Sequence, residues 1–361
     1  FNELVSLYLG SLAASQSVES IGNSEKVNKN LILKVIKHSI LWMNNKKIFI
    51  TGGAGYVGCE LTNFLINKGY AVTVLDLMIY GKDVFTPNEN LSIIKGDIRD
   101  KKLLQKIIPG HDILIHLACI SNDPSFELNP NLGKSINYSA FEPLVKISRE
   151  SEVERFIFAS SSSVYGIKNS LNVHENMSLE PLTDYSKLKV ECEKILRNYQ
   201  SNDFTTVTIR PATVCGFSKR QRLDVIVNLL TNLAYNKREI TVFGGNQLRP
   251  NLHIKDMINA YLFFLNRKNM SGIYNVGFEN HSIMKIAKMI KKRLPYVSVK
   301  KNKSIDPRSY RLYSKKILKT GFRPTKSIQV AIDEFIENYK FKKIPYDHKS
   351  FRASYLKKII S

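Results

Sequence analysis

At 361 residues, 43% hydrophobic and 24% charged, the chain has the makeup of a globular protein with one extensive core or two joined ones. No run approaches the ~20 apolar residues of a membrane span; the nearest, LILKVIKHSILWM (31–43), is too short and is broken by Lys34, Lys37 and His38. The formal charge of +23 invites an anionic partner, but the lysines are scattered and no dense basic run interleaves with aromatics, so neither nucleic acid nor membrane is expected. Cys59, Cys119, Cys192 and Cys215 lie far apart, which suggests no metal site and no disulfide framework, and fits a reducing cytoplasm.

Residues 1–42, with the small, polar and aperiodic SLAASQSVESIGNSEKVNKN, read as a flexible or weakly helical extension without the order of a secretory signal. Met43 followed by NNKK looks like a domain start. From Lys46 onward strand and helix alternate. Apolar strand-like runs occur at 47–52, 71–77, 91–97, 112–118, 155–161 and 205–211, with helical candidates at 55–68, 100–108, 133–151 and 185–200. Near-continuous apolar strands imply burial on both faces, hence a doubly wound parallel α/β sheet. After Pro211 the rhythm loosens: helices are expected near 222–236, 254–267, 281–294 and 327–340, with short strands at 239–244 and 272–277. The expected division is a main domain over 43–215, a smaller α/β cap mainly over 216–340 and interleaved with it, and a basic tail over 341–361 whose role the sequence does not reveal.

Between the first strand and helix stands ITGGAGYVG, with Gly52, Gly55 and Gly58 in GxxGxxG spacing. Gly52 permits the tight turn, Gly55 lets backbone approach a diphosphate, and Gly58 brings the helix close to the sheet. The helix start, with Tyr56 and Val57, offers free N–H groups and a positive dipole end to phosphates. Asp76 closes the second strand, 24 residues after Gly52, where a carboxylate accepts from the adenosine ribose hydroxyls and repels a 2′-phosphate. NAD is therefore expected rather than NADP. Asp97, followed by Ile98, ends the third strand facing the adenine edge.

TDYSKLKVECEKIL (183–196) opens a helix with Tyr185 and Lys189 at i,i+4, on one face. A free phenol has a pKa of about 10; the lysine ammonium and the charge of an oxidised nicotinamide would lower it, fitting Tyr185 for proton transfer alongside hydride movement. Upstream, FIFASSSSVYG (156–166) is a buried strand ending in four serines at the sheet's carboxyl edge, where such folds place ligands.

ITGGAGYVG, FASSSSVYG, YSKLK and RPATVCG, in this order, resemble the extended short-chain dehydrogenase/reductase superfamily, and more narrowly its NAD-dependent nucleotide-sugar epimerase/dehydratase branch, over roughly residues 46–340. The resemblance implies a Rossmann domain with a substrate-binding cap, and Tyr185 and Lys189 as the catalytic pair. Ser161, four residues before Tyr165 of VYG, matches the family's catalytic Ser/Thr; Ser162 is the alternative within the serine run. It also implies that Lys189 holds the nicotinamide ribose, that Leu117 and Ala118 line the cofactor, and that Pro211 borders the nicotinamide. The substrate, a nucleotide-diphosphate sugar, would meet Arg249 of RPNLHIKD and Arg308 of DPRSYRLYSKK, with Asn137 of SINYSA counted among the substrate residues and positioning the active-site helix, and His253 ordering its loop. A homodimer through helices near 133–151 and 185–200 is implied too.

Dehydratases of this branch carry an Asp–Glu pair after the catalytic Ser/Thr, and decarboxylating relatives keep the glutamate; here Ser162 and Ser163 stand instead. Epimerisation by transient oxidation at C4, as in UDP-glucose 4-epimerases, is the expected reaction. A 4-ketoreductase or other oxidoreductase on this scaffold is the alternative, and a dehydratase or a non-catalytic RNA-binding relative is disfavoured. ACISNDPSFEL (118–128) departs from UDP-galactose epimerases, so the sugar stays open.

Overall fold

The structure is a computed structural model, and it describes residues 46–170, 172–303, 309–344 and 348–360. The expected 1–42 extension and Arg308 lie outside the described residues.

Elements follow the alternation read from the sequence: β1 (Lys47–Thr51), α1 (Tyr56–Asn67), β2 (Ala71–Asp76), β3 (Leu91–Lys95), α2 (Lys101–Ile107), β4 (Ile113–His116), α3 (Phe141–Glu150), β5 (Arg155–Ala159), α4 (Asp184–Tyr199) and β6 (Thr205–Pro211). Then come β7 (Thr213–Cys215), α5 (Ile226–Lys237), β8 (Glu239–Phe243), β9 (Leu248–His253), α6 (Ile254–Leu265), β10 (Gly272–Val276), β11 (Glu279–Ser282), α7 (Ile283–Arg293), β12 (Ser298–Asn302), α8 (Ile328–Lys340) and α9 (Arg352–Ile360). Seven parallel strands form the main sheet in the order β10-β6-β5-β4-β1-β2-β3. The order reverses between β1 and β4, which opens a crevice at their carboxyl ends.

The strands alternate their burial between two layers. Ile48 and Ile50 join a core with α1 and α6 residues such as Leu61, Leu65, Ile258 and Phe264, while Phe49 faces Leu104, Phe141, Leu144 and Leu196 from α2, α3 and α4. Two expectations need correction. The strand at 272–277 is the seventh strand of the main sheet, paired with β6, and not part of the cap, because an apolar run alone does not say which edge it joins. The helix expected over 133–151 is broken into Pro130–Lys134, a π-helical turn Ser135–Ser139, and α3. Widened turns of this kind cluster at functional sites.

The cap packs α5, α7 and α8 around β8 and β12 through Leu230, Val242, Ile286, Ile290, Ile332 and Ile336. A small sheet, β11-β9-β7, joins it to the carboxyl edge of the main sheet. No helix among the described residues is long and apolar enough to cross a membrane.

Candidate active site

Where the cap meets that edge lies a cavity of about 700 Å³. At one end the glycine loop supplies the floor. Gly52 has φ +75°, and a Cβ there would stand 2.5 Å from the Ala118 amide nitrogen; one on Gly58 would stand 2.3 Å from the Gly52 carbonyl oxygen. Only glycine lets β1, β4 and α1 approach so closely. Gly55 caps α1 with no side chain, leaving the first-turn amides of Tyr56, Val57 and Gly58 at the cavity wall without intrahelical partners. The Tyr56 hydroxyl donates to the Gly216 carbonyl at 2.7 Å and accepts from Asn228, fastening the helix start to the cap.

Asp76 also lines the cavity, with Oδ2 accepting from the Ala54 amide at 3.0 Å and Oδ1 from Met78 at 2.8 Å. Burial raises its pKa, opposed by those two amides and by nearby Arg352 and Arg220. Asp97 and Ile98 line the same end; the Asp97 carboxylate is gripped by Arg99, which holds its pKa down against burial. A floor that a Cβ would fill, an uncapped helix start and a carboxylate closing β2 fit a dinucleotide.

At the other end Tyr185 and Lys189 project from α4, which begins in a capping box of Thr183 with Ser186. The Lys189 ammonium donates to the Ala159 carbonyl at 2.7 Å and stands 5.8 Å from the Tyr185 ring centre. Burial works against its charge, yet Cys119, Tyr185 and other neighbours raise its pKa, so it stays an ammonium. The expectation of a lowered phenol pKa is corrected for the protein alone: burial pushes the Tyr185 pKa up, and Lys189 and Arg222 only oppose that rise. The remaining lowering would have to come from the charge of a bound oxidised nicotinamide.

Hydrogen bonding sorts the four serines. Ser160 donates to Glu193, whose carboxylate is held by the fully buried Arg210, with Nη2 to Oε2 at 2.6 Å. Arg210 also donates to the Tyr165 hydroxyl at 2.8 Å, and Tyr165 donates to Asn275 of β10 at 2.7 Å. Glu193 lies one turn after Lys189, so this network pins α4 to the sheet. Ser162 pairs with the Tyr310 hydroxyl at 2.9 Å. Ser161 starts the 3-10 turn Ser162–Tyr165, and its Oγ meets only Ser163, at 2.9 Å, among the bonds these serines make. Leu117, Ala118, Pro211, Ser161, Ser162 and Arg249 all reach the cavity wall.

Asn137 does not. Expected among substrate contacts, it is buried in the π-helical turn, donating to the Ile120 carbonyl at 2.9 Å and accepting from the Ile120 amide at 2.8 Å. It fixes the 118–122 loop instead. His253 caps α6 through Lys255, and Asp256 holds Thr325 and Lys326.

The sequence did not single out Tyr310, Arg220, Arg222 or the C-terminal helix. Arg222, paired with Asp224 at 2.7 Å, and Arg220, stacked 3.7 Å over the Tyr80 ring, both line the cavity. Helix α9 lies across it: Arg352 donates to the Cys119 carbonyl at 2.6 Å and to Ser121, Tyr355 donates to Ile79 at 3.0 Å, and Leu356 packs with Ile120, Phe126 and Tyr185. A nine-residue amphipathic stretch, RASYLKKII, was the only available signal.

The family model described as NAD dependent epimerase/dehydratase family matches residues 48–277. An uncharacterized UDP-glucose epimerase of Bacillus subtilis is 31% identical over 262 residues, covering 68% of this chain and 81% of that protein. A dTDP-D-glucose 4,6-dehydratase of Dictyostelium discoideum is 29% identical over 263 residues, covering 65% of this chain and 60% of the relative. The fold matches that of UDP-N-acetylglucosamine 4-epimerase from Methanobrevibacter ruminantium with a TM-score of 0.76 at 24% identity, over 82% of this chain and 99% of that one. With its seven-stranded Rossmann sheet, glycine-floored cavity and Tyr185–Lys189 pair, the chain belongs to the NAD-dependent epimerase/dehydratase family of nucleotide-sugar enzymes.

Proposed function

We propose that the protein is a nucleotide-sugar epimerase working by transient oxidation at C4. One observation carries this over dehydration: every described carboxylate on the cavity wall is already committed. Asp76 is held by Ala54 and Met78, Asp97 by Arg99, Asp224 by Arg222 and Asn122, and Asp123 accepts from Thr183 at 2.7 Å. Positions 162 and 163, where dehydratases place their acid and base, are hydroxyls. That leaves a phenol, an ammonium and serines, a set suited to moving one proton on and off a sugar hydroxyl.

In this reading Tyr185 takes the C4 hydroxyl proton, Ser161 hydrogen-bonds the same oxygen, and Lys189 keeps the phenolate accessible while holding the nicotinamide ribose. Bound NAD supplies the hydride acceptor and donor. Tyr185 returns the proton after the keto sugar has presented its other face. Arg249, on β9 at the cavity wall, and Arg308 serve the substrate diphosphate, and two copies associate through α3 and α4.

The test is incubation with a panel of UDP-, dTDP-, GDP- and CDP-sugars followed by NMR. Interconversion of C4 epimers without net cofactor turnover is the expected result. Release of a 4-keto-6-deoxy sugar would overturn it in favour of dehydration. Stoichiometric consumption of NADH or NADPH would replace it with ketoreduction. Light scattering at micromolar concentration should give a dimer mass.

A further inference from the structure

Two guanidinium groups roof the dinucleotide end of the cavity, and neither has a carboxylate within ion-pair distance among the described residues. Arg220 comes from the segment after β7, which is pinned onto α1: Ser218 donates to the Tyr56 carbonyl at 2.9 Å, and the Lys219 amide to Glu60 at 2.8 Å. Arg220 is buried, stacks on Tyr80 and donates to the Gln221 carbonyl. Arg352 comes from α9, about 130 positions later, and leans in over Cys119 and Ser121.

The two cations are close enough to repel. After burial and the helpful Tyr80, the Arg352 charge lowers the Arg220 pKa, and both cations act on Asp76. The Arg352 Nε is buried without a hydrogen-bond partner. Arg222 beside them is different, being neutralised by Asp224. Two like charges gathered over a concave wall, with a buried donor unmet, form an anion site waiting for its ion.

We infer that Arg220 and Arg352 clamp the diphosphate of the bound dinucleotide from the side opposite the glycine loop, making the C-terminal helix part of the cofactor site. The proposal rests on the dinucleotide lying over that loop. Position favours this diphosphate over that of the nucleotide sugar. Both guanidiniums act on Asp76, whose carboxylate is bonded to Ala54 of the glycine loop, and Tyr355 of the same helix bonds Ile79 just past β2. Amide donors below and planar guanidiniums above would enclose the phosphates on two sides. Leu356 seats the helix on the Tyr185 cluster, so cofactor grip and catalytic wall share one support.

Calorimetry on the full chain, stripped of retained dinucleotide, tests this with adenosine diphosphate ribose, adenosine and UDP as probes. Arg352→Gln and Arg220→Gln should each weaken adenosine diphosphate ribose about tenfold or more, the scale of a lost charged hydrogen bond. Adenosine and UDP should bind as in wild type, and Arg352→Lys should keep part of the affinity. Unchanged adenosine diphosphate ribose binding would overturn the clamp. So would an equal loss for adenosine, which would mean a collapsed wall, or a selective loss for UDP, which would assign the arginines to the sugar nucleotide. Wild type that ignored adenosine diphosphate ribose would sink both the clamp and the dinucleotide reading beneath it.

Discussion

The two ends of the cavity handle charge in opposite ways. Around Tyr185 the buried charges have partners: Glu193 lies against Arg210, and the Lys189 ammonium on the Ala159 carbonyl. Toward the glycine loop Arg220 and Arg352 repel each other, and neither forms an ion pair among the described residues. A wall whose charges are all met internally holds its shape before any ligand arrives, which suits groups that must keep one geometry through a reversible reaction. A wall with unmet charge gains stability from the ligand itself.

The comparison can be broken from several sides. The largest expected effect is on turnover: Tyr185→Phe should cut it by about 10²–10⁴, the usual weight of a proton-transfer group, while dinucleotide retention stays normal in a product assay. A Phe variant with full activity would remove Tyr185 from the chemistry. Next, Glu193→Ala leaves Arg210 buried without a counter-charge and should cost about 3–5 kcal/mol in urea unfolding. A loss near zero would show that the paired wall is not what holds α4.

Lys189→Met removes the charge that opposes the rise in the Tyr185 pKa, so the rising limb of the pH–rate profile should move to higher pH. A limb that stays in place would separate the ammonium from the phenol's titration.

His116 gives an effect spread over several pH units. Buried, bonded to Thr51 at 2.7 Å and near Lys189, its pKa is pushed down to about 3. The unfolded chain therefore binds the extra proton first, and stability should fall as pH drops from about 6.5 toward 3, by at most about 1.4 kcal/mol per pH unit. His116→Asn should flatten that slope in thermal melts taken across the window.

Smallest of all, Arg220→Gln should leave the ligand-free protein within about 1 kcal/mol of wild type, the ordinary cost of a substitution, because relief of repulsion offsets the lost stacking on Tyr80. A large destabilisation would mean that this arginine is structural.

What could be read without coordinates follows from range. The glycine loop and the Tyr185–Lys189 spacing are local signals, and each of those residues reaches the cavity. The four serines could not be told apart, because what separates them is the company of Glu193 and Tyr310, 33 and 148 positions away. Asn137 was recognisable as a special residue but not as a clamp on Ile120, since a side chain's partner is not a property of its own segment. Arg220 sat in a stretch with no periodicity to mark it, and the short amphipathic, lysine-bearing tail that carries Arg352 looks like a solvated end until its Leu356 is seen beside Tyr185.

Strand β10 carries one more consequence. The chain leaves the sheet after β6, builds α5 and β8 of the cap, and returns to lay Gly272–Val276 alongside Thr205–Pro211 before adding α7, β12 and α8. The cap is thus stitched in at both ends rather than strung on behind. A fragment stopped at Pro211 would bare a raw strand edge, inviting self-association instead of yielding a small nucleotide-binding unit. Gene chimaeras with relatives should accordingly place their crossovers before β6 or beyond β10, never between.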